Sequence, residues 1–135
     1  MIKLSKEKPY EDACKILGLR PVANYKSYKL TDETRNFIKL ETVAKALNEG
    51  WKPTTIDPKE VRCYVWGWNY TDNRKPSGLL SVRSCHGLGD AYASVGTSLE
   101  FKDEDTAKEF ARMCKPMIVK YLFGRDDHEN FKFDF

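Results

Sequence analysis

Ten residues, VRCYVWGWNY from Val61 to Tyr70, constrain the fold more than any others. They are β-branched and aromatic with no proline, the composition of a strand. A strand sends successive side chains to opposite faces, which sorts the stretch into two rows. Val61, Cys63, Val65 and Gly67 make a small, apolar row, while Arg62, Tyr64, Trp66 and Trp68 make a large one with a cation at its start. Such a strand needs partners in a sheet and a layer of helices over at least one face. Two arrangements follow: the tryptophan row packs beneath the helices, or the small row does and the tryptophans lie open.

The flanking segments provide the helices. In PYEDACKILGL, Pro9 suits a first turn, Glu11 and Asp12 complement the dipole, and Gly18 ends the helix. Its expected buried stripe is Ala13, Ile16 and Leu17, with Cys14 beside them. The stretch from Arg20 to Leu30 reads as an ordered loop. TDETRNFIKLETVAKALNEG is the clearest helix, capped by Thr31 or Asp32 and followed by Gly50. Phe37, Leu40, Ala44 and Leu47 recur on one face, and Lys39, Glu41 and Lys45 face water. Trp51, just past the glycine, is placed to fold back on the last turn.

Prolines at 53 and 58 mark a loop before the strand. TDNRKPSG is a connection of hairpin length, LLSVRSC a second strand, and SVGTSLEF a third beyond the glycine-rich link HGLGD. DEDTAKEFARMC opens a final helix, with acids in its first turn and Ala107, Phe110, Ala111 and Cys114 on one face. Pro116 is expected to kink it before MIVKYLF. The fold class is therefore α+β: a three-stranded antiparallel meander packed against two N-terminal helices and one C-terminal helix.

At 135 residues, 41% of them hydrophobic, the chain suits one domain with a real core. We place that domain over residues 1–124, followed by an acidic, aromatic tail over 125–135. The tail holds four acids against Arg125 and Lys132, a net −2, so the remaining residues carry +5. That balance is too slight to declare nucleic-acid binding by itself. For the tail we expect either fraying or an edge strand formed by FKFDF.

Several active-site chemistries find no complete signature. The four cysteines are separated by 49, 22 and 29 residues, without the close pairs that hold zinc. No export signal or span of about 18 apolar residues appears, so reduced thiols in the cytoplasm are expected. Cys85 and His86 are adjacent and point apart on a strand, a poor nucleophile–base pair. Gly87, Gly89 and Asp90 form half a dinucleotide fingerprint but lead toward a strand, where a phosphate site needs a helix. Asp103, Glu104 and Asp105 are accounted for by a helix start. No metal or cofactor is expected, and an enzyme is the less favoured reading.

YEDACKILGL, KALNEGWKP and VGTSLEFKDEDTAKEFA resemble a family of small proteins in phages and prophages of gut Bacteroidota. The resemblance spans nearly the whole chain, and the helix–glycine–Trp–Lys–Pro junction is its most specific part. The middle departs from it, with YVWGWNY where relatives carry a tyrosine-rich strand of PWF type. The family brings no established activity, so the resemblance implies a phage setting and no site residue.

The functional expectation therefore rests on the sheet. An open tryptophan row, with Arg83 from the second strand and Arg74 and Lys75 from the turn, would make an aromatic and basic face. The candidate binding residues are Arg62, Tyr64, Trp66, Trp68, Arg74, Lys75 and Arg83. Such a face suits a protein partner or self-association, since Trp, Tyr and Arg dominate hot spots, and also stacked bases. The leading expectation is a non-catalytic phage accessory module that binds a host or phage macromolecule. The alternatives are a small nucleotide-binding or nucleotide-sequestering protein and a structural protein packaged in the virion.

Overall fold

The computed structural model describes residues 2–52, 59–70, 77–86 and 99–135, the last two residues of the third segment by backbone alone. Its elements run α1 (Pro9–Leu17), α2 (Asp32–Leu47), β1 (Val61–Tyr70), β2 (Ser77–His86), α3 (Glu104–Phe123) and β3 (Phe131–Phe133). It is an α+β fold with a three-stranded sheet in the order β1–β2–β3.

Local chemistry sets the helix ends. Gly18 closes α1 in the left-handed conformation, φ 67°, where a Cβ would be strained. The Thr31 hydroxyl accepts from the Thr34 backbone N–H to cap α2, and the Asp103 carboxylate accepts from the Thr106 N–H to cap α3. Within α3 the backbone leaves helical geometry at Cys114 (φ −113°, ψ 19°), two residues before Pro116. The proline lacks an amide hydrogen and its ring crowds the turn before it, so the helix bends there. Asn36 on α2 donates to the Met117 carbonyl just past the bend, tying the two helices together.

The core joins the helices to one side of the sheet. Leu40, Val43, Ala44 and Leu47 of α2 and Ala107, Phe110, Ala111 and Cys114 of α3 are all buried. Ile16, expected in the α1 stripe, is instead exposed, and α1 seats itself through Tyr10, Ala13 and Cys14. The Tyr10 hydroxyl reaches across to accept from the Ala23 N–H. A single apolar stripe only two residues wide suffices for so short a helix, which leaves Ile16 on its rim.

The sheet is mixed and not the antiparallel meander expected. β1 and β2 pair antiparallel over ten residues, but β3, drawn from the tail, pairs parallel with β2. Of the expected third strand, residues 94–98 lie outside the described residues. Its last residue, Phe101, makes one antiparallel bridge to Cys63 on the far edge of β1. The parallel pairing has two causes. A parallel neighbour requires a crossover connection, and α3 is one. Gly78 on β2, having no side chain, also leaves room for the Phe131 ring directly beneath it. Phe131 is buried and stacks on Phe123 at 5.2 Å, with the Arg125 guanidinium 4.6 Å over its other side. Arg125 also pairs with Asp127 and donates to Asn69, fastening the start of the tail to the end of β1. FKFDF thus takes the edge-strand arrangement, and Phe133 and Phe135 pack under Lys115, Lys108 and Arg112 of α3. Among the described residues, no helix is long and apolar enough to cross a membrane.

Candidate binding face

The register of the sheet shows which row of β1 meets the helices. A Cβ on Gly67 would touch Phe123 and Leu80, and Val65 lines the apolar contact between the sheet and α2 and α3. The small row is therefore the inner one, and the large row faces the other way. Antiparallel pairing places Arg83 opposite Tyr64, Ser81 opposite Trp66, Leu79 opposite Trp68 and Ser77 opposite Tyr70. Lys132 of β3 lies beside Leu79 on the same face.

This outer face divides in two along β1. At its beginning Arg62 and Tyr64 are buried, each 3% exposed. Arg62 forms an ion pair with Glu100, 3.1 Å away, whose carboxyl burial pushes up while the guanidinium pulls it down. A charge removed from water needs such a partner, so the pair belongs to the interior. These two expected binding residues therefore lie in the interior and not on the open face. Further along, Trp66 is half-buried, Trp68 is 47% exposed and Tyr70 is 50% exposed.

The open half is ordered by its own contacts. The Trp66 and Trp68 rings meet edge to face, with centroids 4.2 Å apart and planes 89° apart. That arrangement sets the positive edge of one ring against the negative face of the other. The Arg83 guanidinium sits 3.7 Å from the Trp66 centroid, a stacking distance, and the side chain is exposed. Stacking engages the guanidinium plane and leaves its peripheral N–H groups able to donate. Arg83 forms no ion pair with any described residue. Around the rings, Ser77 and Lys132 are exposed and Leu79 and Ser81 are half-buried.

Of the seven expected residues, the structure brings Trp66, Trp68 and Arg83 together and moves Arg62 and Tyr64 inside. Arg74 and Lys75 lie outside the described residues, as do Gly87, Gly89 and Asp90, and Cys85 and His86 are described by their backbone alone. Two members were missed. Tyr70 continues the even-numbered row, so its signal was present in the alternation. Lys132 carried no local signal, because its place depends on the pairing of the tail with β2.

Other features offer less chemistry. Among the described residues no three His, Cys, Asp or Glu side chains group in a way that could hold a metal. A small apolar pocket of about 10 Å³, room for one water and no more, is lined by Leu40, Val65, Leu99, Phe110, Ile118, Tyr121 and Leu122. Its walls offer no charge to a phosphate. Cys14, Cys63 and Cys114 are buried free thiols, and burial pushes Cys114 up to about 12, far from a nucleophile at neutral pH.

No family model, no curated protein and no solved structure matches the chain.

Proposed function

We propose that the chain is a non-catalytic binding module that engages a macromolecule through the outer face of its sheet. The observation that carries this reading is the pair of half-exposed rings, Trp68 and Tyr70, beside a cation stacked on Trp66. Small domains rarely leave so much aromatic area in water without use, and a contiguous aromatic patch with an arginine has the makeup of a binding hot spot. The face is held by its own ring contacts, so little ordering remains to be done on binding. A phage accessory role in a host cytoplasm is part of the proposal and is supported by the sequence resemblance alone. The nucleotide-sequestering alternative draws no support from the cavity, which is apolar, and a packaged virion role has no particular observation in its favour.

Affinity capture from producing cells tests the reading, comparing the wild-type chain with Trp68→Ala and Tyr70→Ala. A control change, Tyr28→Ala, alters an exposed ring of the 20–30 loop, on the chain's helical side. Nuclease treatment separates protein from nucleic acid in what is captured. The reading expects a partner held by the wild type and the control and lost from both face variants. Identical captures from all four would refute it.

A further inference from the structure

Resting on that reading, we infer that the macromolecule is single-stranded nucleic acid, stacked along β1 with its phosphates toward Arg83 and Lys132. Four observations on the face lead to this.

The first is spacing. Trp68 and Tyr70 are two residues apart on one strand, so their Cα atoms lie about 6.8 Å apart. Stacked bases in a duplex are about 3.4 Å apart, and rings twice as far apart cannot each serve neighbouring bases unless those bases are splayed. Splayed, unstacked bases belong to single strands, which aromatic side chains on sheets read by stacking.

The second is ring orientation. The Trp66 ring is covered by Arg83 on top of its edge-to-face contact with Trp68. Trp68 and Tyr70 therefore hold the most open aromatic surface, two neighbouring stacking platforms at the same end of β1.

The third is the placement of charge. Arg83 lies diagonally beyond Trp66, and Lys132 lies two strands across from Trp68, about 10 Å away. One cation thus stands at an end of the aromatic row and the other along its flank, where a backbone following β1 would run. Among the described residues of the three strands on this face, none is acidic, and Asp134 comes just past the end of β3. Two cations against that one carboxylate make the face a better complement to phosphate than to a basic protein segment.

The fourth is the position of the rings on the face of a sheet. Duplex DNA is read by elements that enter a groove, and its base faces are hidden in the stack. Exposed rings on a sheet face have nothing to stack upon in a duplex.

Two cations make the expected salt response small. With a slope near −0.7 per phosphate for single strands, log K should fall with log salt at about −1.4. That slope sets stacking-led binding apart from a diffuse basic surface, which is several times steeper.

The test uses the full chain and labelled octamers of thymidine and of uridine, followed by fluorescence anisotropy at several salt concentrations. The expected result is binding of one or both octamers with a slope near −1.4 and no comparable binding of a duplex of the same length. Trp68→Ala and Tyr70→Ala should each weaken binding about 5- to 150-fold, the loss of one base stack. Lys132→Gln should reduce the slope by about 0.7. All three side chains are exposed, and thermal melts establish that the variants fold. No binding, equal binding of duplex, or unchanged affinity in both ring variants would overturn the inference. If the octamers fail while the ring variants still lose a captured protein, this inference falls and the binding-face reading survives it.

Discussion

Replacing Gly78 with alanine tests the least expected feature of the fold, the seating of β3. A Cβ at that position would overlap the Phe131 ring, far closer than van der Waals contact to Cδ2 and Cε2 and 2.7 Å from Cζ. The ring is also hemmed in by Phe123, which stacks on it at 5.2 Å, and by Arg125, 4.6 Å from its centroid. Either the ring strains its neighbours or β3 leaves the sheet. Overpacking of this kind costs about 1–3 kcal/mol, and losing the buried ring altogether costs about 3–5 kcal/mol. Gly78→Ala is therefore expected to destabilise by about 2–4 kcal/mol, a fall in Tm of roughly 3–5 °C for each kcal/mol at this chain length. The decisive measurement is a double-mutant cycle with Phe131→Ala, read by urea unfolding. With the ring gone, the new methyl loses its three nearest overlaps, so the double variant should be about as stable as Phe131→Ala alone. The coupling should thus offset most of the Gly78→Ala cost. Should the double variant fold too poorly to measure, Phe131→Leu in its place keeps the cycle readable. Additivity within about 0.5 kcal/mol would show that Gly78 and Phe131 do not meet, and the parallel β3 would have to be abandoned.

Three further outcomes are expected. Trp68→Ala should cost about 1–2 kcal/mol, the loss of its half-buried area and its contact with Trp66, while Tyr64→Ala, on the same row but 3% exposed, should cost about 3–5 kcal/mol by denaturant unfolding. Cys14, Cys63 and Cys114 should resist a thiol reagent such as dithionitrobenzoate in the native protein and react on unfolding, and fast native labelling of Cys114, mapped by mass spectrometry, would contradict its burial. Asp103→Ala should remove about 1 kcal/mol of helix capping. The contact with Thr106 holds the Asp103 carboxyl below its ordinary value, so its contribution is present above about pH 4 and lost as pH falls through the folded value. The stability curve of Asp103→Ala should accordingly be flatter than that of the wild type below pH 4, and an unchanged acid limb would count against the cap.

What the sequence revealed and what it hid divide along the range of the interactions concerned. The helices were legible because their determinants are local: Thr31 and Asp103 as caps, Gly18 as a stop, apolar residues at helical spacing in α2 and α3. β1 was legible from its alternation, and even its bounds agree. An edge strand in FKFDF was legible as one of two outcomes for the tail, but its parallel pairing was not, because FKF is only three residues long and the pairing depends on a ring fitting against Gly78 some fifty positions earlier. For the same reason Lys132 was absent from the expected face. Burial of Arg62 and Tyr64 was hidden too, since alternation assigns a side chain to a face and says nothing of how far cover extends along it. Glu100, the partner that lets Arg62 lie inside, is thirty-eight residues away.

The openness of Trp68 and Tyr70 follows from how the apolar residues are shared out. Helices α2 and α3 lie against the inner face, where Cys63, Val65 and Leu80 are buried. The aromatic residues of the tail turn toward that same side, Phe131 into the core and Phe133 and Phe135 under the cations of α3. The outer rings near the end of β1 consequently pack against one another and against Arg83. Mutual packing of this sort lowers the cost of standing in water without removing it, because Trp68 and Tyr70 keep about half their surface exposed. A partner laid on these rings would bury apolar area that the fold itself leaves uncovered, and it would do so without displacing any core contact. Binding and stability are thereby separable on β1: changes at Tyr64 should affect folding, and changes at Trp68, four residues along the same row, should affect recognition.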